Sequence, residues 1–250
     1  MRPGSPELQY QGDGGVVAVI PAAGFGLRMG SPRPKQFLEL AGRPILAMTL
    51  DAFQSCPAVG RLVLVVPGQA VDYCRRHIVD RYGLSKVSRV VPGGARRQDS
   101  VRMGVEACPE PCRVIVVHDG VRPLVRPELI ERVASAAAEQ PAVITALPVR
   151  DTVKEVDEEG RLVVGTLERS RLRLVQTPQA FDAGVLREVH MRAHEQAWEE
   201  ASDDAQMLER AGFPVAVMEG DEDNIKVTTP GDLALARFLL ENRPPEVMKR

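Results

Sequence analysis

Short runs of β-branched and aliphatic residues alternate along most of the chain with longer segments in which apolar residues recur every three or four positions. The run at 16–20 is unbroken, which is typical of a strand buried on both faces of a parallel sheet. The pattern predicts strands at 16–20, 61–66, 87–91, 113–119, 142–147, 174–181 and 214–218. The segments between them have the period of amphipathic helices, which predicts helices at 44–55, 70–82, 100–107, 128–139, 183–200, 203–211 and 230–241. This alternation predicts an α/β fold with a single doubly wound, mostly parallel sheet.

One stretch, residues 148–173, departs from the alternation. Its pattern predicts a β-hairpin that turns at Glu159-Gly160. Because a lone two-stranded ribbon is only marginally stable in water, we expect this protruding arm to pack against a second copy of the chain and form a homodimer. The predicted organisation is therefore a flexible tail at 1–15, one domain at 16–241 that carries the arm at 148–173, and a second tail at 242–250.

Composition narrows the possible functions. The chain has 250 residues, enough for one sizeable α/β domain, and its formal charge of −2 creates no overall field for nucleic acid or an anionic membrane. The four cysteines lack the spacing of a zinc site, and no secretory or long apolar segment is present, so we expect a cytoplasmic protein with reduced thiols. His190 and His194 are four residues apart, a metal-like spacing, but no acid completes the pattern and we expect both on the surface.

The first predicted strand runs into a glycine-rich loop, IPAAGFGLRMG at 20–30. Small residues and glycines expose a row of backbone N–H groups, whose dipoles attract phosphate oxygens. Arg28 and Lys35 add two cations, and Lys35 is one of only five lysines in the chain. The loop therefore suits a polyphosphate, although a glycine cluster after a strand can also be a simple turn.

A dinucleotide site is a less suitable interpretation of the same loop. Such a site needs G-x-G-x-x-G directly before a helix and an acid about 20 residues later. Here the spacing is G-x-G-x-x-x-G, Pro32 and Pro34 delay the helix, and Glu39 comes too early. A long cationic loop favours a nucleoside triphosphate that is attacked at its α-phosphorus.

Two later segments carry further candidate chemistry. Residues 92–100 combine Gly93-Gly94 with two arginines, which indicates either an ordinary strand-to-helix turn or a second ligand contact. The strand at 113–119 ends in His118-Asp119, at the carboxyl edge where ligands bind in open α/β sheets. Asp119 could hold a divalent ion that bridges phosphates, or it could be a helix N-cap or a partner of Arg122.

Six motifs in this order resemble the 2-C-methyl-D-erythritol 4-phosphate cytidylyltransferase family of the non-mevalonate isoprenoid pathway. The resemblance runs from about residue 16 to 240 and rests on PAAGFG with RM at 21–29, PKQ at 34–36, VHD with RP at 117–123, PVRDT at 148–152, TPQ at 177–179 and DNIKVT at 223–228. It implies a Rossmann-like nucleotidyltransferase fold with a dimerisation arm. It also implies transfer of CMP from CTP to 2-C-methyl-D-erythritol 4-phosphate, with Mg²⁺ as cofactor.

The resemblance also implies a role for each candidate residue. CTP would lie on the glycine loop and the second turn, in contact with Ala22, Ala23, Gly24, Gly26, Gly94, Ser100 and Asp119. Arg28 and Lys35 would stabilise the transition state, and Asp119 would lie beside the magnesium–triphosphate. The acceptor would be placed by Thr152, Arg122, Thr177, Lys226 and Arg169, the last supplied by the partner's arm.

The residue types agree with this chemistry. A phosphate monoester has a second pKa of about 6, so at neutral pH it is already a nucleophile and needs no general base. The site must instead supply positive charge where two polyanions meet and pyrophosphate departs. Two alternatives remain: the same transfer to another polyol phosphate such as ribitol 5-phosphate, or a catalytically silent nucleotide-binding regulator.

Overall fold

The computed structural model describes residues 15–24 and 34–243. Its strands are β1 (Val16–Pro21), β2 (Glu39–Leu40), β3 (Arg43–Pro44), β4 (Arg61–Val66), β5 (Val87–Pro92), β6 (Val114–Val117), β7 (Ala142–Pro148), β8 (Lys154–Val156), β9 (Val163–Thr166), β10 (Arg173–Asp182) and β11 (Ala216–Glu219). Its α-helices are α1 (Ile45–Ser55), α2 (Val71–Cys74), α3 (Arg97–Glu106), α4 (Pro127–Ala136), α5 (Ala183–Glu195), α6 (Asp204–Arg210) and α7 (Pro230–Glu241). Short 3-10 turns occupy Lys35–Phe37, Gly68–Ala70 and Arg169–Arg171, and a π-helical turn, Arg75–Asp80, continues α2.

Seven strands form one sheet in the order β11-β7-β10-β6-β1-β4-β5. Every neighbouring pair is parallel except the two that involve β10, which runs antiparallel between β6 and β7. The predicted single, mostly parallel α/β sheet is confirmed. The two predicted tails lie almost entirely outside the described residues.

Helices cover both faces of the sheet. Residues along β1 alternate between the two faces, as in any strand. Val16, Ala18 and Ile20 pack in one apolar cluster with α1 and α4, whereas Val17 and Val19 pack in another with α3 and α5. The sheet is thus the middle layer of three, which explains the unbroken apolar runs of its central strands β1, β4 and β6.

Helix α3 packs unusually close to the sheet at Gly104. A Cβ atom at this position would lie 2.8 Å from Cγ2 of Val65 and in still closer contact with Val19. Because such contacts are sterically forbidden, glycine here allows the close packing that fixes the distance of α3 from β1 and β4.

The predicted hairpin at 148–173 is present as β8 and β9, which pair antiparallel outside the main sheet. Its ends leave the sheet side by side, because β7 and β10 pair as far as Pro148 and Arg173. Several large apolar side chains of the arm and of the adjacent start of β10 face solvent in the single chain: Val156, Leu162, Val163, Val164, Leu167, Leu174 and Val175.

The helix predicted at 183–200 ends earlier, at Glu195. Ala197 takes a positive φ of 47°, and Trp198 turns back so that its backbone N–H donates to the carbonyl of Ala193 at 2.9 Å. Trp198 is buried, and burial of this large ring outweighs the helical pattern that continues in the sequence.

Candidate active site

A pocket of about 580 Å³ opens at the carboxyl edge of the parallel strands. Five segments form its walls: the end of β1, the 3-10 turn at Lys35–Phe37, the turn that leads into α3, the loop after β6 and the loop after β11. They contribute Pro21, Ala22, Ala23, Gly24, Lys35, Gln36, Gly94, Ala95, Arg96, Arg97, Ser100, Asp119, Val121, Lys226 and Thr228. This is the edge at which open α/β sheets bind ligands.

The small-residue end of the pocket is held by backbone contacts. The N–H of Ala22 donates to the carbonyl of Val65 at 2.7 Å, and the buried Gln36 amide donates to the carbonyl of Ala22 at 2.7 Å. Across the pocket, the Ser100 hydroxyl accepts from the N–H of Gly94 at 3.1 Å. A Cβ at the neighbouring Gly93 would lie 2.5 Å from that of Ala23, so glycine lets the two turns approach each other.

Asp119 is the acidic side chain in the described pocket lining, and three cations surround it. Lys226 Nζ lies 2.9 Å from Oδ2, Arg122 Nε lies 3.5 Å from Oδ2, and Arg97 Nε lies 3.5 Å from Oδ1. Burial by itself would raise the pKa of Asp119, yet the charges of Arg97, Lys226 and Arg122 outweigh it and hold this pKa well below its usual range. The carboxylate is therefore ionised at every working pH.

Backbone pairing brings Lys226 to this carboxylate. The N–H of Val227 donates to the carbonyl of Val121 at 2.9 Å, which joins the loop after β11 to the loop after β6. Val121 and Val227 pack in one apolar cluster with Ala236 of α7. Residues far apart in sequence thus form one charged site.

A buried polar layer fixes Asp119 from behind. The Thr177 hydroxyl accepts from the N–H of Asp119 at 3.0 Å and lies 3.1 Å from Nδ1 of His118. Burial, reinforced by the charge of Arg122, lowers the pKa of His118 to about 3, so its ring is neutral. Since Thr177 has one hydroxyl proton to give, His118 Nδ1 accepts it, and Nε2–H donates to the carbonyl of Arg122 at 3.3 Å.

A second buried carboxylate holds Arg97. Asp204 Oδ2 accepts from Arg97 Nη1 at 2.9 Å, and Asp204 Oδ1 lies 3.2 Å from His190 Nε2. The Asp204 side chain is fully buried. The expectation of a surface His190 is wrong: this ring is buried beside Asp204, whereas His194 is exposed as predicted.

The structure groups the predicted site residues in four sets. Eight line the pocket: Ala22, Ala23, Gly24, Lys35, Gly94, Ser100, Asp119 and Lys226. Arg122 and Thr177 lie behind it, where the Arg122 guanidinium donates to the carbonyl of Asn224 at 2.8 Å. Thr152 and Arg169 are exposed near the base of the arm and outside the lining of their own chain's pocket, and Gly26 and Arg28 lie outside the described residues.

Sequence reasoning missed Asp204. The turn at 92–100 pointed to Arg97 as one of two possible ligand cations, but Ser202-Asp203-Asp204 has the appearance of an ordinary helix start. Asp203 does cap α6, since its side chain accepts from the N–H of Gln206 at 2.9 Å. The next residue is the one that faces the site.

Within residues 15–24 and 34–243, no helix is both long and apolar enough to cross a membrane.

Comparisons with known proteins agree with this geometry. The family model for IspD, 2-C-methyl-D-erythritol 4-phosphate cytidylyltransferase, matches residues 16–242. The enzyme of that name from Syntrophus aciditrophicus is 43% identical over 226 residues, which cover 90% of this chain and 96% of the relative. A bifunctional enzyme IspD/IspF from Desulforudis audaxviator is 48% identical, and there the match covers 91% of this chain and 57% of the relative.

Solved structures give the same result. The crystal structure of 2-C-methyl-D-erythritol 4-phosphate cytidylyltransferase from Thermus thermophilus has a TM-score of 0.73 at 38% identity, covering 90% of this chain and 98% of that one. The 4-diphosphocytidyl-2C-methyl-D-erythritol synthase from Anaerococcus prevotii has a TM-score of 0.79 at 31% identity, covering 90% and 96%. This chain belongs to the 2-C-methyl-D-erythritol 4-phosphate cytidylyltransferase family.

Proposed function

We infer that the protein is a nucleotidyltransferase that moves CMP from CTP to 2-C-methyl-D-erythritol 4-phosphate, giving 4-diphosphocytidyl-2-C-methyl-D-erythritol and pyrophosphate in isoprenoid synthesis. The observation that carries this function is the cationic pocket of a chain that matches the family model over residues 16–242. Lys35, Arg97 and Lys226 line one cavity together with Asp119. A site with this charge suits the meeting of two phosphate-bearing substrates.

The chain's own residues supply charge rather than proton transfer. At neutral pH the acceptor's phosphate monoester is already ionised, so no general base is needed for attack on the α-phosphorus. We assign transition-state stabilisation to Arg28 and Lys35, because negative charge grows on the α-phosphate oxygens and on the departing pyrophosphate. Lys226 would orient the acceptor phosphate from its position beside Asp119, and Arg122 and Thr177 would fix that side of the site from behind.

We propose Mg²⁺ as the cofactor and Asp119 as its protein ligand. The described pocket lining offers one carboxylate, and among residues 15–24 and 34–243 no cluster of three His, Cys, Asp or Glu side chains could hold a metal by itself. This donor set fits Mg²⁺, which keeps several waters and commonly binds through one carboxylate together with substrate phosphates. When bound, the ion would neutralise part of the triphosphate charge.

We further propose a homodimer with shared active sites. The arm exposes Leu162 and Val163 with 69% and 60% of their surface accessible, a large exposure for apolar residues on a thin ribbon. We propose that a second copy of the chain covers this ribbon and that the base of each arm then lies near the partner's pocket. Arg169 and Thr152 would then contact the acceptor of the partner subunit, and the planar Arg169 guanidinium suits its phosphate.

We place the reaction in the cytoplasm, where the four free thiols would remain reduced.

Pyrophosphate release, measured with each pairing of nucleotide and acceptor, tests the function. We expect turnover with CTP well ahead of UTP and far ahead of ATP, because the pocket between Ala22 and Gly94 is small and rich in backbone polar groups. A group that pairs with the cytosine amino group would be left unpaired by uracil, at a cost of about 1–3 kcal/mol. Comparable turnover with ATP, or faster turnover with ribitol 5-phosphate than with methylerythritol phosphate, would contradict the assignment.

A further inference from the structure

The segment between α5 and α6 is bonded to the turn that forms one wall of the pocket. The carbonyl of Trp198 accepts from the Arg96 guanidinium at 3.2 Å, and the N–H of Ala201 donates to the Gln98 side chain at 3.1 Å. The N–H of Arg97 donates to Glu200 at 3.2 Å. This segment therefore fixes the start of α3 by means of residues that are not part of the pocket lining.

Asp204 follows this segment as the first residue of α6, and its carboxylate is in an energetically costly environment. Its side chain is fully buried, and a buried carboxylate is tolerated only when it is well paired. The close partner is Arg97, whose Nη1 donates to Oδ2 at 2.9 Å. Nε of the same guanidinium group lies 3.5 Å from Oδ1 of Asp119, and Arg97 is part of the pocket lining.

The two carboxylates hold Arg97 unequally. Among the described residues, Asp204 and Asp119 are the carboxylates within 4.0 Å of its guanidinium, at 2.9 Å and 3.5 Å. The first distance is that of a strong charge-assisted hydrogen bond and the second is at the limit of hydrogen bonding. Arg97 is therefore bonded more closely to Asp204 than to Asp119.

We propose that Asp204 is a positioning residue for cytidylyl transfer: it restrains the Arg97 guanidinium so that this cation faces the substrates and Oδ1 of Asp119 stays accessible to them. Without the Asp204 charge, Asp119 becomes the one carboxylate within reach of Arg97, and the pair closes. The pocket then loses both a cation that is available to the triphosphate and one oxygen of its carboxylate.

The test uses full-length protein and the variant Asp204→Asn, which keeps the size of the side chain and removes its charge. We expect kcat to fall at least tenfold, and the KM for CTP to change less than kcat. The matched control is Glu209→Gln, which also removes one negative charge from α6 but at an exposed side chain, and which should retain kcat within about twofold. A kcat for Asp204→Asn within twofold of the wild type overturns the proposal.

A double-mutant cycle separates positioning from a general structural role. If Asp204 acts through Arg97, Arg97→Met and Arg97→Met/Asp204→Asn should have the same kcat within about threefold, even if their unfolding midpoints differ. A further loss of tenfold in the double variant overturns the proposal, because Asp204 would then act by another route. If Asp204→Asn alone does not fold, the comparison of Arg97→Met with the double variant still tests whether Asp204 acts through Arg97.

The proposal rests on the inferred cytidylyl transfer, and the two can fail separately. A wild-type protein that releases no pyrophosphate from CTP in the presence of acceptor contradicts the function. An active wild type with an equally active Asp204→Asn variant contradicts only the role of Asp204.

Discussion

Replacing His118 by glutamine should make the folded state less sensitive to acid. The ring is fully buried, and burial lowers its pKa from 6.5 to about 3. Glutamine can reproduce both of its hydrogen bonds, accepting from Thr177 and donating to the carbonyl of Arg122. It lacks the tilted ring contact with Phe53, so we expect a loss of stability that is the same at every pH.

The sign and size of the pH effect follow from the two pKa values. At pH 7 the histidine is largely neutral in both the folded and the unfolded chain and contributes little. As the pH falls below 6.5, the unfolded chain binds a proton that the folded chain does not accept until the pH approaches 3, so folded-state stability is lost throughout this window. The slope approaches about 1.4 kcal/mol per pH unit well below pH 6.5, so the wild type should lose about 3 kcal/mol from this residue between pH 7 and 4.5.

Urea unfolding at several pH values from 7 to 4.5, at one fixed protein concentration, measures the effect. The free-energy difference between wild type and His118→Gln should shrink by about 3 kcal/mol across this range. Asp119 does not contribute to the change measured between pH 7 and 4.5. Its pKa is lowered in the folded state, so its stabilising contribution is lost only when the pH falls below 3.8, the ordinary pKa of an aspartate. The exposed His194, replaced in the same way, is the control and should leave the slope unchanged. A constant difference between wild type and His118→Gln from pH 7 to 4.5 would refute the reasoning.

Three further predictions concern the site and the arm. Lys35→Ala should lower kcat about a hundredfold, the scale of losing one preorganised donor, with a smaller effect on CTP affinity. The control is Lys86→Ala, outside the pocket lining, which should leave kcat unchanged. A raised KM with an unchanged kcat would make Lys35 only a binding residue. Arg169→Ala should raise the acceptor's KM and spare CTP binding, and mixing it with Lys35→Ala subunits should restore one intact site per heterodimer; mixed dimers without activity would rule out shared sites. Val163→Lys should weaken dimerisation in analytical ultracentrifugation, with the exposed Met191→Lys as control, and an unchanged dimer would place the interface elsewhere.

Local pattern was sufficient to predict the sheet, because its central strands are unbroken apolar runs and most connections contain a helical period, the arm between β7 and β10 being the exception. It was also sufficient for the carboxyl-edge pocket, since the glycine loop, Asp119 and the second glycine turn each follow a predicted strand. It did not predict that β10 would run antiparallel between β6 and β7. That orientation depends on the path by which the chain returns from the arm, and no residue within 174–181 specifies it.

The charges behind the pocket were harder to predict. His190 lies four residues after Leu186 and three before Ala193, both buried, so helical spacing places it on the apolar face of α5. The four-residue spacing to the exposed His194 suggested instead that both histidines lie on the surface. Asp204 has no comparable local signal, because what makes it functional is an arginine more than 100 residues earlier in the chain.

Gly104 has a consequence for protein engineering. It lies seven residues along α3 from Arg97, about 10 Å away, and a mutant library restricted to the pocket walls would leave it untouched. Yet the methyl group of Gly104→Ala would force α3 away from Val19 and Val65. This overpacking would cost about 1–3 kcal/mol in stability. If α3 moves as a rigid body, the turn at 93–97 moves with it. Directed evolution of donor preference could therefore act from this remote position on the proposed base pocket between Ala22 and Gly94, because larger residues at 104 would alter its width without changing the pocket lining.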